Sequence, residues 1–442
     1  MDADSTNGQV DGETPPEPGF KKTKVGWIPE EWRVRKLGQV IKDISAGYSA
    51  NCEDRKIEEG EVGVLKVSAV SYGTFDPSAH KAVIPEEREL TKLPPQAGTL
   101  IMSRSNSEEL VGKSVFVPQD YPNLRIPDTL WQVEVEDNIS ARWLNFALGS
   151  DRMRASIQST ATGTSGSMKK LSMKRLRSLK IAIPPFGEQR KIARILSTWN
   201  RAIKQVDNLI AAKERRKKAL MQQLLKGETR VPGYGEDEWV KVKIGDLLKR
   251  VKRYVDWDDD AQYDLVSVKR GSEGLYHRKS IYGREKKTKK LHTLKEGDFV
   301  ISRMQVVHGA TAYVTPEFEG MHVSNSYIIL RPREEANIDT EFFAWLAKMP
   351  YMYHLAYLAS HGVHIEKMTF KPKFYFKSEV KIPPTVEEQQ EIVSILKTCE
   401  QEIETLRDER AALRRQKRGM MQKLLTGKIR VSTEPTSPQV EA

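Results

Sequence analysis

Two segments of the chain carry apolar residues at alternating intervals of four and three. The first runs Ile192, Leu196, Trp199, Ile203, Val206 and Ile210, then Leu220 and Leu224. The second runs Ile392, Leu396, Cys399, Ile403 and Leu406, then Leu413, Met420 and Leu424. That spacing predicts helices with a coiled-coil seam. Pro184–Pro185 and Pro383–Pro384 impose extended backbone ahead of each helix, and Gly227 and Gly427 are natural stops. Helices are therefore expected over 188–226 and 388–426, each roughly 57 Å long at ~1.5 Å per residue. Lys213 and Lys217 interrupt the first seam, and Arg410 and Lys417 the second. Such gaps favour antiparallel pairing or end contacts over a parallel zipper. Each helix has its complement in the same chain, so the pair is expected to form internally, with Ile203 and Ile403 at the interface.

The rest of the chain alternates short β-like runs with turn residues. GVLKVSAV, TLIMSR and KSVFVP fall before the first long helix; DFVISR and SYIILRP fall before the second. Segments 142–158 and 340–359 read as helices within these regions. The two halves match in register. Gly98 pairs with Gly297, Ser103 with Ser302, Arg104 with Arg303, Gly163 with Gly362 and Ile183 with Ile382, all at one offset. After a single insertion beyond Pro384 the match resumes from Glu188 and Glu388 to Arg230 and Arg430. Trp32 matches Trp239 as well. The chain is therefore a duplication, a feature that decides the fold reading. Each copy is an α+β unit followed by a long helix.

The 442 residues suffice for two or three domains with real cores. No apolar run approaches the length of a membrane span. The first twenty residues lack the basic start and apolar core of a secretory signal and read as a disordered tail. Two cysteines, Cys52 and Cys399, exclude a disulfide framework and fit a reducing cytoplasm. The net charge of +12 favours a polyanionic partner.

Chemistry is sparse. The chain has no phosphate-binding GxxxxGK[ST] loop, no HExxH pair and no cysteine cluster. His361 and His364 lie close together without further metal ligands nearby, so no metal site is assigned. IPPF (183–186) imitates the Pro-Pro motif of DNA amino-methylating enzymes, but Ile183 cannot accept a hydrogen bond from a target amine. The loops carry another signal. Ser103, Arg104, Ser105, Asn106 and Lys113 lie in one, and Lys169, Lys170 and Lys174 in another, with Arg175 and Arg177 beyond. Matching places in the second copy hold Ser302, Arg303, Gln305, His308, His361, His364 and Lys367. Arg and Lys suit guanine edges and phosphates, and Asn and Gln suit adenine. These are the candidate DNA-binding residues; solvated polar loops are the plainer reading.

These marks together resemble the DNA specificity subunit of type I restriction-modification enzymes. They are GWIPEEW, the MSR and ISR loops, IPP…EQ opening each long helix, and the MQ[QK]LL[KT]G endings. The resemblance covers Gly26 to Val431. It implies two similar target recognition domains separated by two long conserved helices that form an intramolecular antiparallel coiled coil. The implied layout is a tail over 1–25, recognition domains over 26–184 and 231–384, spacer helices over 185–230 and 385–431, and a flexible tail over 432–442. Each recognition domain would read one half of a bipartite, asymmetric site in double-stranded DNA. The helices would set the gap and dock two modification subunits, which hold S-adenosylmethionine; restriction subunits join that assembly. The chain itself would bind no cofactor and catalyse nothing. A coiled-coil scaffold without DNA binding is the alternative. A self-contained methyltransferase or nuclease is disfavoured by the missing motifs.

Overall fold

Double prolines, a seam and a glycine stop produce the expected pair of helices, Phe186–Lys226 with 41 residues and Val386–Leu425 with 40. The computed structural model describes residues 18–71, 73–163, 168–234 and 237–431. Gly227 and Gly427 take φ of +70° and +75°, the left-handed conformation that ends a helix cleanly. The expected tails over 1–17 and 432–442 lie outside the described residues. The expected N-terminal tail ran to residue 25, but Phe20–Thr23 is a strand paired with Gly26–Pro29.

The chain forms two contact units, and their limits differ from the expected domains. One comprises residues up to Gln205 and from Arg410 onward; the other is Val206–Glu409. Each long helix is thus shared, its first half belonging to one unit and its second half to the other. The cause is legible in the cores. Ile192, Ala193 and Leu196 are buried in the first core with Leu424; Ile392, Val393 and Leu396 are buried in the second with Leu224 and Leu225. Seam residues near each helix start therefore seat the helix on a globular core. Further along, Trp199, Ile203, Val206, Cys399 and Leu406 are half-buried, while Ile403 is buried.

Within the second unit the two helix segments run antiparallel. Lys213 pairs with Glu402 at 2.7 Å, Lys217 with Glu400 at 3.0 Å, and Arg407 with Glu214 at 2.8 Å. The lysines that interrupt the first seam are thus interhelical ion-pair partners. Partly exposed pairs of this kind contribute only about 0–1 kcal/mol each, so they fix register more than stability.

Both units build the same two sheets. In the first, Ser114–Phe116, Leu100–Ser103, Leu130–Val135 and Ile41–Ala46 form an antiparallel sheet in that order. In the second, Thr311–Tyr313, Phe299–Ser302, Tyr327–Pro332 and Leu248–Val251 do so. The side sheets each contain one parallel pair, Leu124–Arg125 with Gly63–Leu65 and His322–Ser324 with Gln262–Val268. The fold is α+β, as expected. Each anticipated inner helix is instead two. Ala141–Leu148 stops at Gly149, and Asp151–Thr160 restarts after Ser150, whose extended backbone breaks the run. Thr340–Leu346 and Pro350–Leu358 are separated because Pro350 cannot donate into a continuing helix.

The EQ pair at each helix start has a structural role. Glu188 is 1% exposed and accepts hydrogen bonds from Trp32 Nε1 at 3.0 Å and from Arg430 Nε and Nη2 at 2.9 and 3.1 Å. Glu388 repeats this with Trp239 at 3.3 Å and Arg230 at 2.8 and 2.9 Å. Bonding to Glu188 holds the Arg430 guanidinium above its usual range. Gln189 caps Ser140 N at 2.8 Å, and Gln389 caps Asp339 N at 2.8 Å. In each unit a buried carboxylate thus joins a helix start, an entry tryptophan and the arm that follows the other helix.

Candidate nucleic-acid interface

In the first unit the strand Leu100–Ser103 runs into Arg104, and Ser105–Asn106 pairs with Lys169–Lys170. The backbone of Arg104 donates to Thr129 O and accepts from Leu171 N, both at 2.9 Å. This unites the two loops that the sequence singled out. Ser103 is fully buried, so its side chain faces the protein interior, where Asn106 Nδ2 donates to its hydroxyl at 3.4 Å. Ser105, Asn106 and Arg104 are half-exposed, with Arg104 Nη1 donating weakly to Asp128 O at 3.4 Å. Lys113 reaches Ser71 O at 3.5 Å, and Lys169 lies 4.0 Å from Glu108. Lys170 and Lys174 are exposed.

The second unit repeats the scaffold with other side chains. Arg303 N donates to Ser326 O at 2.9 Å, and Arg303 O accepts from Phe370 N at 3.0 Å. His308 Nε2 lies 3.1 Å from Glu366, so loops 302–309 and 361–370 meet. Ser302, like Ser103, is buried. Gln305 Oε1 and Arg303 Nε are buried without a hydrogen-bond partner among the described residues. His361 is exposed and lies against Phe374, with ring centroids 5.0 Å apart, and His364 is exposed. The side chain of Lys367 lies outside the described ones. His361 and His364 join no cluster of metal-ligating residues among the described residues.

Several positioning residues escaped the sequence reading. Burial lowers the proton affinity of the Arg154 guanidinium, which donates to Glu109 O and Val111 O at 3.0 and 2.8 Å and holds the first loop. Ser272, at φ +55°, braces the second loop through Gly309 O at 3.1 Å and Tyr353 Oη at 3.2 Å. Gly309 sits at φ +70°, and a Cβ there would lie 2.6 Å from the Tyr353 ring. Met304, Val363, Ile365 and Phe374 are exposed apolar residues of these loops and their surroundings, Val363 at 95%. Apolar groups suit thymine methyls in a major groove.

The model of the type I restriction modification DNA specificity domain matches the chain twice, over residues 29–214 and 236–415. The chain belongs to that family. A Methanocaldococcus jannaschii protein provisionally named the type I restriction enzyme MjaX specificity subunit is 25% identical over 442 residues, covering 94% of this chain and 98% of that one. The MjaVIII specificity subunit of the same organism is 24% identical over 444 residues, covering 94% and 97%. The S subunit of a type I restriction-modification system from M. genitalium shares the fold at a TM-score of 0.52 and 13% identity, covering 89% of this chain and 96% of that one. A chain from a type I system studied for complex assembly and conformational transition does so at 0.56 and 16%, covering 91% and 99%.

Specificity subunits recognise DNA sequence and are non-catalytic; partner subunits carry the chemistry. The family assembles with restriction-modification subunits and DNA. Among the described residues no helix is long and apolar enough to cross a membrane.

Proposed function

We propose that this specificity subunit reads a bipartite, asymmetric site, one half through each unit, and docks two modification subunits that carry S-adenosylmethionine. Helix length sets the spacer between the halves, and the assembly works in the cytoplasm. The observation that carries the reading is the repeated Arg104 and Arg303 scaffold. Its backbone bonds are the same in both units, while the presented side chains differ: Asn106, Lys169 and Lys170 in one, Gln305, His308 and His361 in the other. A common frame with different readers is what two unlike half-sites require.

Methylation mapping in cells tests this. A chimera taking residues 30–180 from another family member should change one half-site and leave the other half and the spacer intact. Alteration of both halves would refute the division of labour.

A further inference from the structure

The side sheets of the two units are built alike but finished differently. In the first, His80–Val83 is covered on its outer side by Cys52–Glu53. Four of its cations are ion-paired: Arg55 and Arg88 with Glu61, and Lys66 and Lys81 with Asp54. In the second, the corresponding strand Leu275–Tyr282 is an open edge. It carries a β-bulge: Lys279 pairs with Leu265 and His277 with Val266, which leaves Arg278 as the extra residue. Bulges re-aim the residue they insert.

This edge is strongly basic. Arg278 and Lys279 are exposed on the strand, and Lys286, Lys287 and Lys290 follow it. Arg284 and Lys289 are paired with Asp260 and Asp259. No ion pair is found for Arg278, Lys279 or Lys286 among the described residues. These three lie close enough to repel: burial first, then Lys279 and Arg278, hold the Lys286 amine below its usual range. Three crowded cations without an ion pair are an electrostatic cost to the free protein that a polyanion removes; the nearby Asp264 is engaged by His277 and Ser280. Tyr276 and Tyr282 flank them, each 42% exposed. The turn that opens the strand touches the candidate reading loops, since Arg270 pairs with Glu366 at 3.2 Å and Ser272 N donates to Gly309 O at 2.6 Å.

We infer that the second unit grips the DNA phosphate backbone through the bulged edge strand Leu275–Tyr282 and the lysines after it, a grip the first unit lacks. This rests on the DNA-reading function proposed above. Of the two side sheets, only the second therefore contributes this nonspecific, salt-dependent affinity.

The test uses the full chain, alone and in its assembled complex, with a labelled random-sequence 30-bp duplex over a salt series. Each phosphate contact contributes about −0.9 to the slope of log affinity against log salt. The triple variant Arg278→Ala, Lys279→Ala, Lys286→Ala should flatten that slope by about 3. Arg278→Lys, Lys279→Arg, Lys286→Arg should restore it, which separates charge from folding. Arg55→Ala, Lys66→Ala, Lys81→Ala in the first unit should leave it unchanged. A steep wild-type slope that the second-unit triple variant does not alter, or an equal change from the first-unit variant, overturns the inference alone. Failure of the wild-type assembly to bind any duplex overturns the DNA-reading function as well.

Discussion

Arg230→Ala should destabilise the second unit by about 2–4 kcal/mol, although Arg230 lies on a short arm outside every helix and strand. Removing one partner of a buried ion pair costs about 3–5 kcal/mol, because the surviving charge is left in a poorly polarisable surrounding. Glu388 meets that condition, at 1% side-chain exposure, with two charge-assisted bonds at 2.8 and 2.9 Å. Two residual interactions reduce the loss. Trp239 still donates at 3.3 Å, and Glu388 lies in the first turn of its helix, where the helix dipole favours a carboxylate by about 0.3–1 kcal/mol. The double variant Arg230→Met, Glu388→Leu removes both charges and leaves the buried Trp239 Nε1 unmatched, for about 1–3 kcal/mol; the Asp237 carbonyl that Arg230 also meets is at an exposed position. It should therefore be more stable than the single variant. A multi-unit chain need not unfold in one step. Hydrogen exchange resolved to peptides, combined with urea titration, reads each unit separately. A loss below about 1 kcal/mol for Arg230→Ala, or a double variant less stable than the single, would refute the reasoning.

Other expectations are simpler. Gly309→Ala should cost about 1–3 kcal/mol in thermal melts, since alanine must adopt a positive φ against the Tyr353 ring; an unchanged melt would mean that the loop is free to shift. Arg104→Ala should weaken binding to the cognate duplex by about 1–3 kcal/mol and relax choice at one base pair if it reads a guanine, as methylation mapping would show. Glu61 is held down to about 2, first by its hydrogen bond from Arg55. Its folded pKa is depressed, so its contribution is complete above the unfolded carboxylate pKa and is lost as pH falls through about 2. A carboxyl NMR titration with a midpoint near the ordinary value would contradict that geometry.

The long helices, the duplication and the α+β class were legible because each leaves a periodic trace in the chain. The partners of Glu188 and Glu388 left none: Trp32 and Arg430 meet Glu188 from distant parts of the chain. A matched arginine at the end of each repeat marked the position and not the bond. Ser103 and Ser302 showed why a register match is no guide to exposure. Both match as polar loop residues, yet each ends a strand pointing inward. The open edge of Leu275–Tyr282 was equally invisible, since whether a strand is covered depends on sheet order.

The sharing of each helix between units has a consequence for biosynthesis. The first unit needs the segment from Arg410 onward, which places Leu424 in its core and Arg430 on Glu188. When Gln205 leaves the ribosome, that segment is still untranslated. At ~5–20 residues per second the wait is roughly 10–40 s. The nascent first unit must spend that interval with Ile192 and Leu196 lacking part of their apolar cover and Glu188 lacking its arginine. Chaperone demand and protease sensitivity should therefore peak late in translation, and a ribosome stalled just before Arg410 should hold a first unit that is cut readily.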